Sequence, residues 1–206
     1  MIIAITGGTG FIGRNLQQHF AAAAHEVRLT GRVTPDREWL EGVDAVIHLA
    51  GEPVAQRWNA SVKQRIVDSR VKGTRDLIAV LKTVKLRPPV LISASAIGFY
   101  GDGGDRKLTE ESQHGPGFLA AVCAQWEQAS REAETLGIRV VNPRIGVVLG
   151  RDGGALAKIL PPFRLGVGGR LGEGNQWMSW IHIGDLVRLF QFAIGNSAVK
   201  GALSGR

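Results

Sequence analysis

The sequence predicts an α/β fold, a doubly wound parallel sheet in three αβα layers, and three observations carry that prediction. Apolar strand-like runs alternate with helical patterns through most of the chain, as they do when helices cover both faces of a parallel sheet. The chain opens MIIAITGGTGFIG, where an apolar run meets Gly7, Gly10 and Gly13 and then a helical pattern. No internal repeat, linker or low-complexity tract breaks the alternation, so residues 1–206 read as one domain.

The first strand, 2–6, is a continuous apolar run, the pattern of a strand buried on both faces. The GxxGxxG spacing after it suits a dinucleotide pyrophosphate. Gly7 permits the tight turn, Gly10 admits phosphate to the backbone, and Gly13 lets the following helix, 11–24, pack on the strand. That helix offers free N–H groups and a positive dipole end to the phosphates. Thr9, Phe11 and Ile12 of the same turn are cofactor candidates with the glycines, and an ordinary βα turn is the alternative.

Further strands read at 26–30, 45–49, 90–95 and 139–144, and further helices at 59–84, 118–136, 155–165 and 183–195. Asn59 is placed to cap its helix, and Pro88 and Pro89 separate that helix from the next strand. Between Thr30 and Asp44 only GRVTPDREWLEGV is available, where a complete dinucleotide fold adds a helix and a strand. The sheet is therefore expected to be Rossmann-like with an abbreviated edge between its second and fourth strands. At the other end, GALSGR reads as the start of a strand with nothing after it to close a substrate lobe.

Composition narrows the function. The chain is 44% apolar, yet charge or glycine interrupts every apolar stretch well short of a membrane span, and no cleavable leader is evident. A cytoplasmic protein without a membrane partner is expected. Cys123 is the single cysteine, which excludes an internal disulfide framework, and no Cys/His cluster has metal-ligand spacing. The net charge of +7 comes from 25 basic residues spread along the chain, so no nucleic-acid partner is expected.

Several segments together resemble the extended short-chain dehydrogenases/reductases, in their atypical NAD-dependent epimerase/dehydratase-like branch: TGGTGFIG, HEVRLTGR, DAVIHLAGEP, RWNASVKQRIVDSRVKGT, LISASAIGFYGD, WEQA and GGALAKILPPFRLGVGGRLGEGNQWMSWIHIGDL. The last is long and unusual and carries most weight. The resemblance implies a nicotinamide dinucleotide, a small-molecule substrate and a further C-terminal substrate lobe. On that comparison residues 165–206 are a partial substrate-side segment whose lobe is absent. A homodimer is left open.

In such folds an acidic residue at the end of the second strand reads the adenosine ribose and repels a 2′-phosphate. Here the strand ends Thr30, Gly31, Arg32, and a guanidinium clamps phosphate, so NADP is expected over NAD. Leu49, Ala50 and Gly51 resemble the family turn that passes beside the cofactor. Ser93 and Arg144 stand at later strand ends, Arg144 as a candidate border of the nicotinamide pocket.

The family's acid/base pair is missing. Aligning FLAAVCAQWEQ by Glu127 puts Leu119 at the usual Tyr position and Cys123 at the usual Lys position, and Arg70 stands where Asn is usual. Ser95 survives as the strand serine. Tyr100, the only tyrosine, follows that strand in a loop and is the substitute proton donor, with Arg70 as fixed positive charge. Trp177, Trp180 and Gln176 are candidate contacts for an aromatic or sugar-like ligand, while His182 and Asp185 read mainly as helix-start structure. Two functions remain: an atypical oxidoreductase or epimerase acting on a small polar molecule, and a non-catalytic dinucleotide-binding sensor or interaction module.

Overall fold

The computed structural model describes residues 1–170 and 172–205. Strands β1 (Ile2–Thr6), β2 (Glu26–Thr30), β3 (Ala45–His48), β4 (Val90–Ser93), β5 (Ser95–Ala96), β6 (Arg139–Ile145) and β9 (Gly201–Gly205) form one sheet in which every pairing is parallel. Ile92 pairs with Val141 and Ser95 with Arg144 in unbroken register, so β4 and β5 are one strand interrupted at Ala94. The spatial order is β2, β1, β3, β4/β5, β6, β9. A separate pair, β7 (Val147–Gly150) and β8 (Trp180–His182), is not foreseen from sequence because each run is too short to show a period.

The abbreviated edge is present. Only the four-residue α2 (Arg37–Leu40), capped by the Asp36 carboxylate, joins β2 to β3, and the chain crosses to the far side of β1 without adding a strand outside β2. The segment read as unfinished at the end is a strand, with Val141 to Ile145 of β6 as its partners.

Alternation along the strands builds two apolar layers. Ile3, Ile5, Ile47 and Ile92 pack with Leu16 and Phe20 of α1 (Phe11–Ala22) and Phe190 of α6 (Ile183–Gly195). Ala4, Val46, Leu91 and Val140 face Leu77, Ile78 and Leu81 of α3 (Ala60–Thr83). The Asn59 carboxamide accepts from the Val62 N–H, as its cap position predicts. Helix α4 (Phe118–Arg131) is shorter than the run expected there, because residues Glu132–Leu136 tighten into a 3-10 helix that ends at Gly137 in the left-handed region, φ +77°. Helix α5 (Gly154–Arg164) has no buried residue and leaves Phe163 exposed. No described helix is long and apolar enough to cross a membrane.

Candidate functional site

The carboxyl ends of β1, β2 and β3 converge on the glycine turn. The Gly7 and Gly8 N–H groups donate to the carbonyls of Gly31 (2.8 Å) and Thr30 (2.9 Å), and the Leu49 N–H donates to Thr6 (3.0 Å). Gly7 has φ +71°, and a Cβ there would lie 2.8 Å from the Ala50 backbone nitrogen, so only glycine fits. A Cβ on Gly13 would stand 2.6 Å from the Gly8 Cα, which explains the helix's close seat on the turn. Gly10 is the N-cap of α1. No side chain caps this helix and no acidic residue occupies its first turn, leaving the positive dipole end available to an anion. Arg14 steadies the turn by donating to the Thr9 carbonyl at 2.7 Å.

Beside the turn lies a cleft of about 260 Å³ whose walls include Arg32, Ala50, Gly51 and Lys72 and two carboxylates, Asp68 and Asp76, the second paired with Lys72 at 2.7 Å. Three of the predicted cofactor positions thus line one concavity, against the glycine turn that Leu49 and Ala50 touch. Arg32 is well exposed and donates to the Glu52 carboxylate at 2.8 Å. Glu52 is held below the usual carboxylate range, first by the Gln56 amide it accepts from and then by Arg32, Arg65 and Arg70. Arg70 turns to the same loop: its Nη1 donates to the Glu52 carbonyl at 2.9 Å, and its guanidinium lies 5.2 Å from the centre of the Trp126 ring. Burial lowers its pKa from the ordinary arginine value.

The side chains of several predicted residues pack into the protein rather than line the cleft. Phe11 does not turn its ring toward the cleft. The ring fills a cradle made by Gly150, Gly153 and Gly154, where a Cβ on Gly153 would fall 2.3 Å from it, so only the Phe11 backbone remains for a phosphate. Ile12 packs partly into the core. Ser93 is fully buried, and its hydroxyl has no hydrogen-bond partner among the described residues. Tyr100 is not in an open loop but closes a 3-10 helix, Ile97–Tyr100, and is 4% exposed. Arg144 is neither a surface charge nor an open pocket wall. It is 3% exposed, paired with Glu127 through Nε to Oε1 and Nη2 to Oε2, both 2.9 Å, and its guanidinium carbon stacks 3.5 Å from the centre of Phe99.

Ser95 and Tyr100 belong to that same buried network. The Ser95 hydroxyl donates to Glu127 at 2.6 Å, and Arg144 Nη1 donates to the Tyr100 oxygen at 3.0 Å. Leu119 and Cys123 sit together on α4 against Gly98, just past β5. Burial, aided by Glu127, pushes the Cys123 thiol up to about 11, so it is protonated at neutral pH and is neither base nor nucleophile. His182 caps α6, its Nδ1 accepting from the Gly184 N–H, and Asp185 pairs with Arg188, which gives both the structural tasks expected of them. Trp177, Met178 and Trp180 are exposed, with the Trp177 indole donating to Asp105 at 2.7 Å.

Sequence reasoning misses three residues. Glu127 serves there only to align a helix, Glu52 lies one residue beyond the recognised turn, and His48 is one more letter in an apolar strand. His48 is buried between the hydroxyls of Thr6 (2.6 Å) and Thr74 (3.1 Å). A titratable residue inside an otherwise apolar strand is the available signal, and it points to a buried hydrogen-bond network.

A glycine turn at an uncapped helix N-terminus, with a basic strand end beside it, defines a dinucleotide-binding α/β protein. The chain belongs to the NAD dependent epimerase/dehydratase family, whose pattern matches residues 3–202. It is 39% identical over 228 residues to the chloroplastic epimerase family protein SDR39U1 homolog of Arabidopsis thaliana, spanning all of this chain and 65% of that one. Among solved structures, human epimerase family protein SDR39U1 (isoform 2) with NADPH superposes with a TM-score of 0.89 at 34% identity, covering 100% of this chain and 74% of that one. A nucleoside-diphosphate sugar epimerase of Corynebacterium glutamicum gives 0.88 at 38% identity, covering 100% and 46%.

Proposed function

We propose that this chain binds NADP(H), with the pyrophosphate on the glycine turn at the α1 N-terminus and the adenosine 2′-phosphate at Arg32. The observation that carries the proposal is the meeting of Ala50, Gly51 and Arg32 in one cleft, with Gly7 of the glycine turn packed against Ala50 and no acidic residue at the end of β2 to repel a phosphate. The similar human protein crystallised with NADPH supports the same choice.

The reaction class we propose is an atypical oxidoreductase or epimerase step on a small polar molecule. When bound, the nicotinamide supplies or accepts hydride. Arg70, protonated beside the turn after β3, offers fixed positive charge toward developing negative charge but is a poor base. Residues 165–206, bearing the exposed Trp177 and Trp180, are the substrate-side part of a single domain in this reading. The acid/base role suggested for Ser95 and Tyr100 requires their network with Glu127 and Arg144 to open. Their burial, and the inert Leu119 and Cys123, favour a second reading in which the domain binds the dinucleotide without turning it over.

Calorimetry with NADPH and NADH tests the cofactor assignment. NADPH is expected to bind more tightly, and Arg32→Glu to cancel the preference, with a loss of about 1.5–3 kcal/mol for a charge-assisted phosphate contact. Equal affinities in the unsubstituted protein overturn it. Consumption of NADPH across a carbonyl and sugar-nucleotide panel separates enzyme from binding module.

A further inference from the structure

Arg32 meets a carboxylate that is far better anchored than it is. The Glu52 backbone is tied to α3 at both ends, its N–H donating to the Ser69 hydroxyl at 2.9 Å and its carbonyl accepting from Arg70 at 2.9 Å. The Glu52 side chain is 18% exposed and receives Arg32 at 2.8 Å and Gln56 at 3.0 Å, with Arg65 at 3.8 Å. The Arg32 side chain is 63% exposed on a long flexible stem. One partner of the pair is fixed and the other is free to swing.

A fixed carboxylate beside a phosphate site acts on the ligand in two ways. It competes with the phosphate for the guanidinium, and its own charge repels the phosphate through the short solvent gap. We propose that Glu52 is a specificity-setting latch: its carboxylate holds Arg32 at the cleft edge until a 2′-phosphate displaces it, so Glu52 limits the affinity for the phosphorylated cofactor. A cofactor without the 2′-phosphate has no such exchange to make and is nearly indifferent to Glu52. The latch rests on the NADP(H) reading and deepens it.

Calorimetric titration of the full chain with NADPH and NADH, for the unsubstituted protein, Glu52→Gln and Glu52→Ala, tests the latch. Both substitutions leave the Ser69 and Arg70 contacts in place, because those are to backbone, and a thermal melt of each variant reports its fold. Removing the carboxylate is expected to tighten NADPH about two- to fivefold, the scale of one exposed ion pair, and to leave NADH unchanged. Adenosine 2′,5′-bisphosphate should follow NADPH and 5′-AMP should follow NADH. If the unsubstituted protein prefers NADPH but the variants bind it no more tightly, or if they lose NADH instead, the latch is overturned and the cofactor reading stands. If the unsubstituted protein shows no preference, the cofactor reading fails and takes the latch with it.

Discussion

Glu127 and Arg144 form a two-pronged ion pair in the protein interior, each of their side chains no more than 3% exposed, with Ser95 on the carboxylate and Tyr100 on the guanidinium. Such a pair costs desolvation to build, so it is weak evidence of net stabilisation, but removing Arg144 leaves the buried Glu127 carboxylate with only the Ser95 hydroxyl and a 3.8 Å approach from Arg131. Arg144→Met is therefore expected to destabilise the fold by about 3–5 kcal/mol in a urea titration, and the double variant Glu127→Leu with Arg144→Met to recover much of that loss. An additive double variant would show that the two side chains do not act as a pair.

The network marks where sequence reading stops. The glycine turn was legible because each of its residues answers a local demand: a left-handed φ at Gly7, a close helix seat at Gly13 and an open N-terminus at Gly10. The missing edge strand was legible because thirteen residues cannot hold a helix and a strand with their turns. Arg144 was not, because a strand-end arginine has the same letter whether it faces solvent or a carboxylate on a helix 17 positions away. The packing of the Phe11 ring was not legible for a related reason. Its place in the fingerprint is local, whereas the three glycines that receive its ring come from a turn far along the chain.

His48 gives the fold a pH dependence. Burial lowers its pKa from 6.5 to about 4, so the folded protein keeps the ring neutral between the Thr6 and Thr74 hydroxyls. The unfolded chain binds a proton below about 6.5 and the folded chain does not until about 4, so the unfolded state holds more protons in that window. The stability due to this residue is complete above the upper limit and falls with pH, by roughly 3 kcal/mol at the lower one. Denaturant melts at stepped pH should show that decline, and His48→Gln should flatten it. A slope unchanged by the substitution would assign the acid sensitivity elsewhere.

Gly10 separates binding from folding. A Cβ there meets only the Gly7 carbonyl, at 3.2 Å, so the backbone tolerates a side chain far better than at Gly7 or Gly13. Gly10→Val is expected to abolish NADPH binding, because a branched side chain then occupies the space in front of the α1 N-terminus, while the circular dichroism spectrum stays native. Retained affinity with a native spectrum would move the pyrophosphate off this turn.

Ser95→Ala and Tyr100→Phe decide between a proton relay and a scaffold. The Ser95 hydroxyl spends its proton on Glu127, and the Tyr100 oxygen accepts from Arg144 in a site almost closed to solvent. Each substitution removes one hydrogen bond to a charged group, so each is expected to cost about 1.5–3 kcal/mol of stability while the affinity for NADPH is unchanged. If the domain turns over a substrate, a scaffold role predicts that rates measured well below the melting temperature stay close to those of the unsubstituted protein. A fall of roughly 10²–10⁴ in turnover at unchanged NADPH affinity is the signature of a lost general acid. That result would mean the Glu127–Arg144 network opens during the reaction, and it would restore Ser95 and Tyr100 to the chemistry.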